Sequence, residues 1–164
     1  MTNTILKSAR LALFTTSIIL SGCLGLHSVK GPEAAEALVG EAWKANKAKD
    51  FELAIAHAKK CIKHNEVDAM EMQGAMTKPV PTSRENLNKE AIIEKWALNH
   101  VGASYFIMGR AYAELGKKEE ALQAYQHLVA TFPFAHCWDP KGYFWKPAMV
   151  AKKRIKELES KPNN

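Results

Sequence analysis

The chain has 164 residues, of which 23 are lysine or arginine and 17 are aspartate or glutamate, so its formal net charge is +6. This length suits one compact domain with a core and excludes two large ones. Basic and acidic residues are interspersed, and no basic stripe carries interleaved aromatic side chains. The charge pattern therefore indicates a solvated surface and argues against nucleic-acid binding.

The first 22 residues combine positive charge with a short apolar run. Lys7 and Arg10 precede residues 11–20 (LALFTTSIIL), a run of signal-peptide length that is too short to span a bilayer. Leu-Ser-Gly-Cys23 follows and resembles the lipobox of bacterial lipoproteins, which implies cleavage before Cys23 and acylation, for example by palmitate, of that cysteine. Residues 1–22 are thus predicted to be a signal peptide and residues 23–31 a tether. An ordinary signal peptide with an incidental Cys23 is the alternative.

Leu24, the residue after the predicted acylated cysteine, bears on location. Leucine rather than aspartate at this position looks like the outer-membrane sorting class of enterobacterial lipoproteins. The resemblance implies a lipid-anchored protein of the cell envelope, on the periplasmic face of the outer membrane. Attachment by several acyl chains makes such anchoring stable, because each buried methylene contributes about 0.8 kcal/mol.

Two helices are predicted over residues 33–65. The first begins at Pro32 or Glu33, since proline and acidic residues suit a helix start. Asp50 caps the second, which runs to His64. Their inner faces follow helical spacing and are Ala35, Leu38, Ala42 and Ala45 in the first helix and Phe51, Ala54, Ile55, Ala58, Cys61 and Ile62 in the second.

Residues 66–101 read as an insertion. Residues 67–76 are methionine-rich and predicted to be helical, with soft side chains that cover the core or, alternatively, an incoming partner. Two prolines and several hydroxyl residues make 77–83 a loop. Helical spacing returns over 88–99 through Ile92, Trp96 and Ala97, and this helix is expected to run on into the next segment.

Residues 102–135 contain two apolar stripes at helical period. The stripes are Tyr105, Met108 and Tyr112 in a first helix and Ala121, Leu122, Tyr125 and Leu128 in a second. Gly116 suits a tight helix end, and Pro133 stops the second helix near Thr131. Small residues at Gly109 and Ala121 let the helices approach closely, with aromatic rings filling the space around them.

The spacing in this segment resembles the 34-residue tetratricopeptide repeat, through Tyr105-x2-Met108-Gly109-x2-Tyr112, Ala121-x3-Tyr125 and Pro133. The resemblance implies an antiparallel helix pair that stacks against neighbouring pairs. Residues 33–65 resemble a degenerate copy, with Ala42 where glycine is usual and Ala45 where tyrosine is usual. The predicted fold is all-α, a short α-solenoid of such pairs, with repeat-packing residues Tyr105, Met108, Gly109, Tyr112, Ala121, Tyr125, Leu128 and Pro133.

An aromatic segment and a last helix follow, over 136–159. Asp139-Pro-Lys-Gly142 has turn chemistry, which also explains Asp139 without catalysis. The final helix starts near Pro147, reaches about Leu158 and is expected to cap the stack, with 160–164 as a tail. Its inner residues are predicted to be Met149 or Val150, Ala151, Ile155 and Leu158. The aromatic side chains of Phe134, Trp138, Tyr143, Phe144 and Trp145 are interpreted as a hydrophobic plug, with sugar stacking or peptide binding as the alternative.

Candidate chemistry is sparse. His57, Cys61 and His64 could share one helical face, but a closed zinc site needs a fourth ligand that nothing nearby supplies, and no metal or other cofactor is predicted. Cys61 and Cys137 are expected to be separate buried thiols, with a disulfide as the alternative. No catalytic motif occurs in a credible context, so no catalytic residue is assigned and the protein is not expected to be an enzyme.

The functional prediction is a membrane-anchored scaffold or adaptor that binds another protein or peptide on a concave surface. By analogy with the resembled repeat, the partner-binding residues are Trp96, Asn99, Ala103 and Arg110. The alternatives are an envelope glycan-binding protein or hydrolase that uses the Trp138–Trp145 segment, and a structural lipoprotein whose monomers stack through exposed helix faces.

Overall fold

The computed structural model describes residues 30–83 and 85–160. The predicted signal peptide, Cys23, Leu24, most of the tether and the last four residues lie outside this part of the chain. The described residues form six helices and one two-stranded hairpin: α1 (Pro32–Lys47), α2 (Phe51–Gly74), α3 (Lys89–Ile93), α4 (Trp96–Glu114), α5 (Lys118–Thr131), β1 (Cys137–Asp139), β2 (Tyr143–Trp145) and α6 (Pro147–Glu159). Within this part, no helix is long and apolar enough to cross a membrane.

α1 and α2 begin where the sequence predicts. Pro32 is the first residue of α1, and the Asp50 carboxylate accepts a hydrogen bond from the backbone N–H of Leu53 at 3.2 Å. The predicted end of α2 at His64 is wrong, because the methionine-rich stretch continues the same helix to Gly74. No proline interrupts this run, so nothing in it forces the helix to end earlier.

α3 and α4 divide the segment for which one continuous helix was expected. The backbone turns at residues 94–95, and α4 then runs without a break from Trp96 into the segment with repeat spacing. Tyr125 of α5 is 1% exposed and packs against Gly109 of α4. A Cβ atom at Gly109 would lie 2.5 Å from Cε1 of Tyr125, so only glycine permits this approach.

Tyr105 and Tyr112 of α4 are both partly buried, and the Lys59 ammonium of α2 lies 5.8 Å from the ring centre of Tyr112. The Tyr105 hydroxyl donates a hydrogen bond to Oε1 of Glu66 at 2.6 Å, and Nε2 of His127 lies 3.5 Å from the same oxygen. Burial, and then the Glu66 carboxylate, raise the pKa of Tyr105, so its hydroxyl keeps its proton. Tyr105 thus links α4 to α2 beside His127 of α5.

The segment after α5 forms a hairpin that the sequence did not predict. β1 and β2 are antiparallel, and Trp138 is paired with Phe144. The turn between them has the expected chemistry, because Asp139 accepts a hydrogen bond from the Lys141 backbone N–H at 2.9 Å and Gly142 has φ +96°.

α6 packs on α5 and covers that end of the stack, with Val150 rather than Met149 on the inner side. The inner face of α1 and α2 follows the predicted spacing, and α4 contacts both of these helices as well as α5. The predicted all-α architecture of stacked antiparallel helix pairs with a C-terminal capping helix is confirmed.

Candidate functional site

A groove of about 800 Å³ lies between α1, α3, α4 and the hairpin. The walls come from one helix of each pair, α1 and α4, from α3 before α4, and from the hairpin after α5. Cavities of roughly 300–1,000 Å³ are the size that proteins use to hold small ligands or peptide side chains. This groove is therefore the candidate site.

The α1 wall is one face of a helix. It includes Glu36, Val39, Gly40 and Trp43, which are spaced i, i+3, i+4 and i+7, and Pro32 one turn earlier. A Cβ atom at Gly40 would have no heavy atom within 4 Å, so the backbone of α1 is open to the groove at this point.

The α4 wall repeats the same spacing with Trp96, Asn99, His100 and Ala103. Three of the four residues assigned to partner binding by analogy, Trp96, Asn99 and Ala103, therefore lie together in the groove. Arg110 does not line it. Its guanidinium instead lies 5.8 Å from the ring centre of Trp43, on the α1 wall.

Asn99 has a structural role that its position in the sequence did not predict. Its side-chain Nδ2 donates to the carbonyl of Ile92 in α3 at 2.6 Å, and its Oδ1 accepts from the backbone N–H of His136 at 2.9 Å. One side chain thus joins α3 and the start of the hairpin to α4. Asn99 positions two walls of the groove, and its contact with a partner stays a prediction.

The hairpin divides the predicted aromatic cluster into two parts. Trp145 packs edge-on against Phe106 with ring centres 5.1 Å apart, which fits the predicted plug. Trp138 and Phe144, 4.9 Å apart, line the groove instead, and Trp138 is 50% exposed. The ammonium of Lys89 lies 5.7 Å from the Trp138 ring centre, so a cation stands at this edge of the groove.

Two histidines of the groove lining each have one ring nitrogen that is buried and unpaired among the described residues. His136 is 3% exposed, and within the described part of the chain neither its Nε2 atom nor Nδ1 of His100 has a hydrogen-bond partner. Burial lowers the pKa of both side chains. Both imidazoles are therefore neutral at pH 7.

The nearby charges modify these two pKa values. Lys146 adds to the lowering at His136, and Glu36 opposes it at His100. Backbone carbonyls also oppose it in part, those of Val80 and Phe134 at His136 and that of Trp96 at His100. None of them reaches the unpaired nitrogens in hydrogen-bond geometry.

The candidate residues of α2 lie outside the groove lining. Cys61 is fully buried beside Asn65 and Ser104, and burial raises the pKa of its thiol. Among the described residues no group of three or more His, Cys, Asp or Glu is arranged to hold a metal ion, and this includes the helix that carries His57 and His64. Cys137, by contrast, is part of the groove lining, and it is a free buried thiol with its pKa raised to about 12 by burial.

Sequence reasoning missed several groove residues. The stripe at positions 36, 39, 40 and 43 has a helical period that could have identified the α1 wall, including Trp43. His100 follows Asn99 directly and could have been added in the same way. His136 and Lys89 carry no local signal, because a hairpin and a short helix bring them to the groove.

The groove shares α4 with the one segment that comparison with known proteins identifies. Residues 103–135 match the family model of the tetratricopeptide repeat. The match covers most of α4 and all of α5, and it supports a tetratricopeptide-repeat protein as predicted from the spacing of Tyr105 to Pro133. No curated protein and no solved structure matches the chain significantly. The repeat is thus recognised in one helix pair, while the groove also uses elements outside it.

Proposed function

We propose that this protein is a scaffold or adaptor that binds another protein or a peptide in the groove, and that a lipid on Cys23 holds it at the bacterial cell envelope. The single observation that carries the binding proposal is the preformed groove between the α1 and α4 stripes. Tetratricopeptide repeats generally serve protein binding, and this groove includes part of the matched repeat.

The composition of the groove supports contact with a protein segment. Trp43, Trp96 and Trp138 stand on three different walls, and aliphatic side chains of α1 and α3 also line the groove. Large aromatic residues in a desolvated pocket dominate the binding free energy of protein interfaces. The tether places such a site close to a membrane if Cys23 is acylated.

Site-specific photocrosslinking in the native envelope tests the binding proposal. A photoreactive amino acid replaces Ile93, which lines the groove and is 64% exposed, or, as the matched control, Gln126, an exposed residue of α5 outside the groove. We expect one or a few defined products from position 93 and none of these from position 126. The same products from both positions, or none from position 93, would contradict the proposal.

Metabolic labelling with a fatty acid tests the anchor separately. Cys23 lies outside the described residues, so the proposal rests on the lipobox resemblance in the sequence. Wild-type protein should incorporate the label and Cys23→Ala should not. Equal label in the two proteins would remove the lipoprotein part of the proposal and leave the groove untouched.

A glycan-binding envelope protein is the second candidate, and the exposed ring of Trp138 is the observation that favours it. Trp138→Ala removes a ring that could stack on a sugar, whereas Trp145→Ala removes one that packs on Phe106. Saturable binding of cell-wall glycans that is lost in Trp138→Ala, with an unchanged helical circular dichroism spectrum, would favour this candidate. No glycan binding by the wild type would remove it.

A further inference from the structure

The end of the tether is fixed to α2. The Lys30 ammonium pairs with the Asp68 carboxylate at 3.0 Å, and the Gly31 backbone N–H donates a hydrogen bond to Oδ1 of Asn65 at 3.4 Å. Asn65 and Asp68 both belong to α2. The chain therefore enters the fold along α2, and among the described residues no α2 side chain lines the groove.

An exposed stripe runs along the outer face of α2 next to this entry point. Its members are spaced i, i+3, i+7 and i+10 and are all exposed: Lys60, Lys63, Val67 and Met70. Val67 and Met70 have 62% and 47% of their surface exposed. The exposed carboxylate of Glu71 lies beside the stripe and offsets one of the two positive charges. The stripe thus combines large apolar side chains with a net positive charge.

This combination suits the surface of a phospholipid bilayer. Apolar side chains of a helix that lies on a membrane enter the region between headgroups and acyl chains, while lysines pair with anionic headgroups. Two apolar residues and two lysines would bind a membrane only weakly by themselves. An acyl anchor on the same chain changes this, because it keeps the stripe at a high effective concentration near the bilayer.

The length of the tether determines how near the bilayer stays. Cys23 and Lys30 are seven residues apart. A fully extended chain spans at most about 3.5 Å per residue, so an acylated Cys23 lies within about 25 Å of Lys30. The part of the fold around Asp68, and with it the α2 stripe, is therefore held close to the membrane.

A second exposed face has a similar composition and lacks this attachment. Met149 of α6 is 61% exposed, and Lys152 and Lys153 are exposed at i+3 and i+4 from it. α6 packs on α5 and covers the other end of the stack. Composition alone does not distinguish the two faces, but the position of the tether does. The α6 face therefore serves as a matched control.

We propose that the outer face of α2 rests on the phospholipid bilayer through Val67 and Met70, with Lys60 and Lys63 against anionic headgroups, and that the groove opens away from the membrane. α2 packs on α1 and α4 with its buried face, so its outer face points away from the two helices that carry the groove walls. This inference rests on the proposed anchor and adds an orientation to it. A partner would enter the groove from the aqueous side.

Fluorescence quenching by lipid tests the orientation in the acylated full-length protein. The environment-sensitive fluorophore bimane is attached at Val67→Cys or at Met149→Cys, and the protein is reconstituted into phosphatidylcholine–phosphatidylglycerol vesicles that contain a nitroxide-labelled lipid. Cys61 and Cys137 are buried, and the chain without an added cysteine measures their background labelling. We expect lipid quenching at position 67 to exceed that at position 149 by about twofold or more, since interfacial side chains reach about 5–10 Å into the bilayer.

A label in the groove reports on the other half of the proposal. Ile93 lines the groove and is 64% exposed. Bimane at Ile93→Cys should be quenched by iodide in the aqueous phase and only weakly by the nitroxide lipid.

Charge reversal tests the lysines separately from the anchor. Lys60→Glu/Lys63→Glu should lower lipid quenching at position 67 toward the value at position 149, because like charges then face the anionic headgroups. Lys152→Glu/Lys153→Glu is the matched control and should leave quenching at position 67 unchanged. Circular dichroism verifies the helical fold of each variant.

Fatty-acid labelling of each preparation separates the failure of the anchor from the failure of the orientation. No label on the wild type would remove the anchor and this inference together and leave the groove untouched. In labelled protein, quenching at position 67 that does not exceed that at position 149, strong lipid quenching at position 93, or no effect of Lys60→Glu/Lys63→Glu would overturn this inference alone. Disulfide-linked dimers that form from Val67→Cys in preference to Met149→Cys would assign the α2 face to a second copy and also overturn it.

Discussion

The two helix pairs of the stack meet their partners with different side chains at matching positions. In α4 and α5, Gly109 leaves a notch that the ring of Tyr125 fills. The positions 67 residues earlier in the chain are Ala42 in α1 and Ala58 in α2, and both are fully buried. A glycine–tyrosine pair in one helix pair thus corresponds to an alanine–alanine pair in the other.

The difference shows that two antiparallel helix pairs of this chain form with different residues at the matching positions. A large ring requires glycine opposite it, whereas two alanine methyl groups let helices approach closely without a large ring or a glycine. Only the glycine–tyrosine version lies in the segment that matches the repeat family model. The alanine version forms a similar antiparallel pair and supplies the other main wall of the groove, although no comparison identifies it.

Among the variants that test this comparison, removal of the Tyr125 ring should lower the stability of the protein most. Tyr125→Ala empties a fully buried site between α4 and α5, and we expect a loss of about 3–5 kcal/mol in the free energy of unfolding. Urea denaturation followed by circular dichroism measures it. A loss below about 1 kcal/mol would mean that the ring does not determine the packing of this pair.

Filling the notch should have a smaller effect. Gly109→Ala places a methyl group 2.5 Å from the Tyr125 ring, and overpacking of this kind costs about 1–3 kcal/mol. In Gly109→Ala/Tyr125→Ala, which recreates the alanine pair of α1 and α2, this clash is absent. The double variant should therefore be more stable than the sum of the single effects predicts.

Gly40→Ala is the matched control for this experiment, since it lies in a helix with open space around it. It should be neutral or stabilising by about 0.5–1 kcal/mol. The notch explanation would be contradicted if the losses in unfolding free energy of Gly109→Ala and Tyr125→Ala simply added up in the double variant. Equal effects of Gly109→Ala and Gly40→Ala would also contradict it.

Substitution of Asn99 tests how the hydrogen bonds of its side chain hold the groove walls together. Asn99→Ala leaves the Ile92 carbonyl and the His136 N–H without their partner. The expected loss in the free energy of unfolding is about 1–3 kcal/mol, and it lies near the lower end if water in the groove replaces the two hydrogen bonds. Amide hydrogen exchange should rise in α3 and the hairpin and stay unchanged in α1 and α2. Uniform change across the chain would mean that Asn99 acts on global stability alone.

The sequence was sufficient for the parts of the fold that repeat along a helix. Helical period predicted most of the inner faces of α1, α2 and α5, and Asp50 and Pro32 marked helix starts because capping and proline geometry are local. The end of α2 was missed because no local residue stops it. The hairpin was missed because its strands are three residues each, too short for a pattern of alternation.

The groove could be predicted only in part for the same reason. Trp96, Asn99 and Ala103 share a helix, and their spacing brings them together without knowledge of the tertiary structure. His136 and Trp138 reach the groove through the hairpin, and Trp43 through the packing of α1 on α4. Such contacts depend on pairings distant in sequence, which periodicity does not report.

The most direct test of the central claim, that the groove between α1, α4 and the hairpin receives a partner, is Gly40→Trp combined with photocrosslinking from position 93. We expect Gly40→Trp to keep the helical spectrum and thermal unfolding of the wild type, since the position is open. The crosslinked products from position 93 should disappear in Gly40→Trp and persist in Gly40→Ala. Products that persist in correctly folded Gly40→Trp would contradict it.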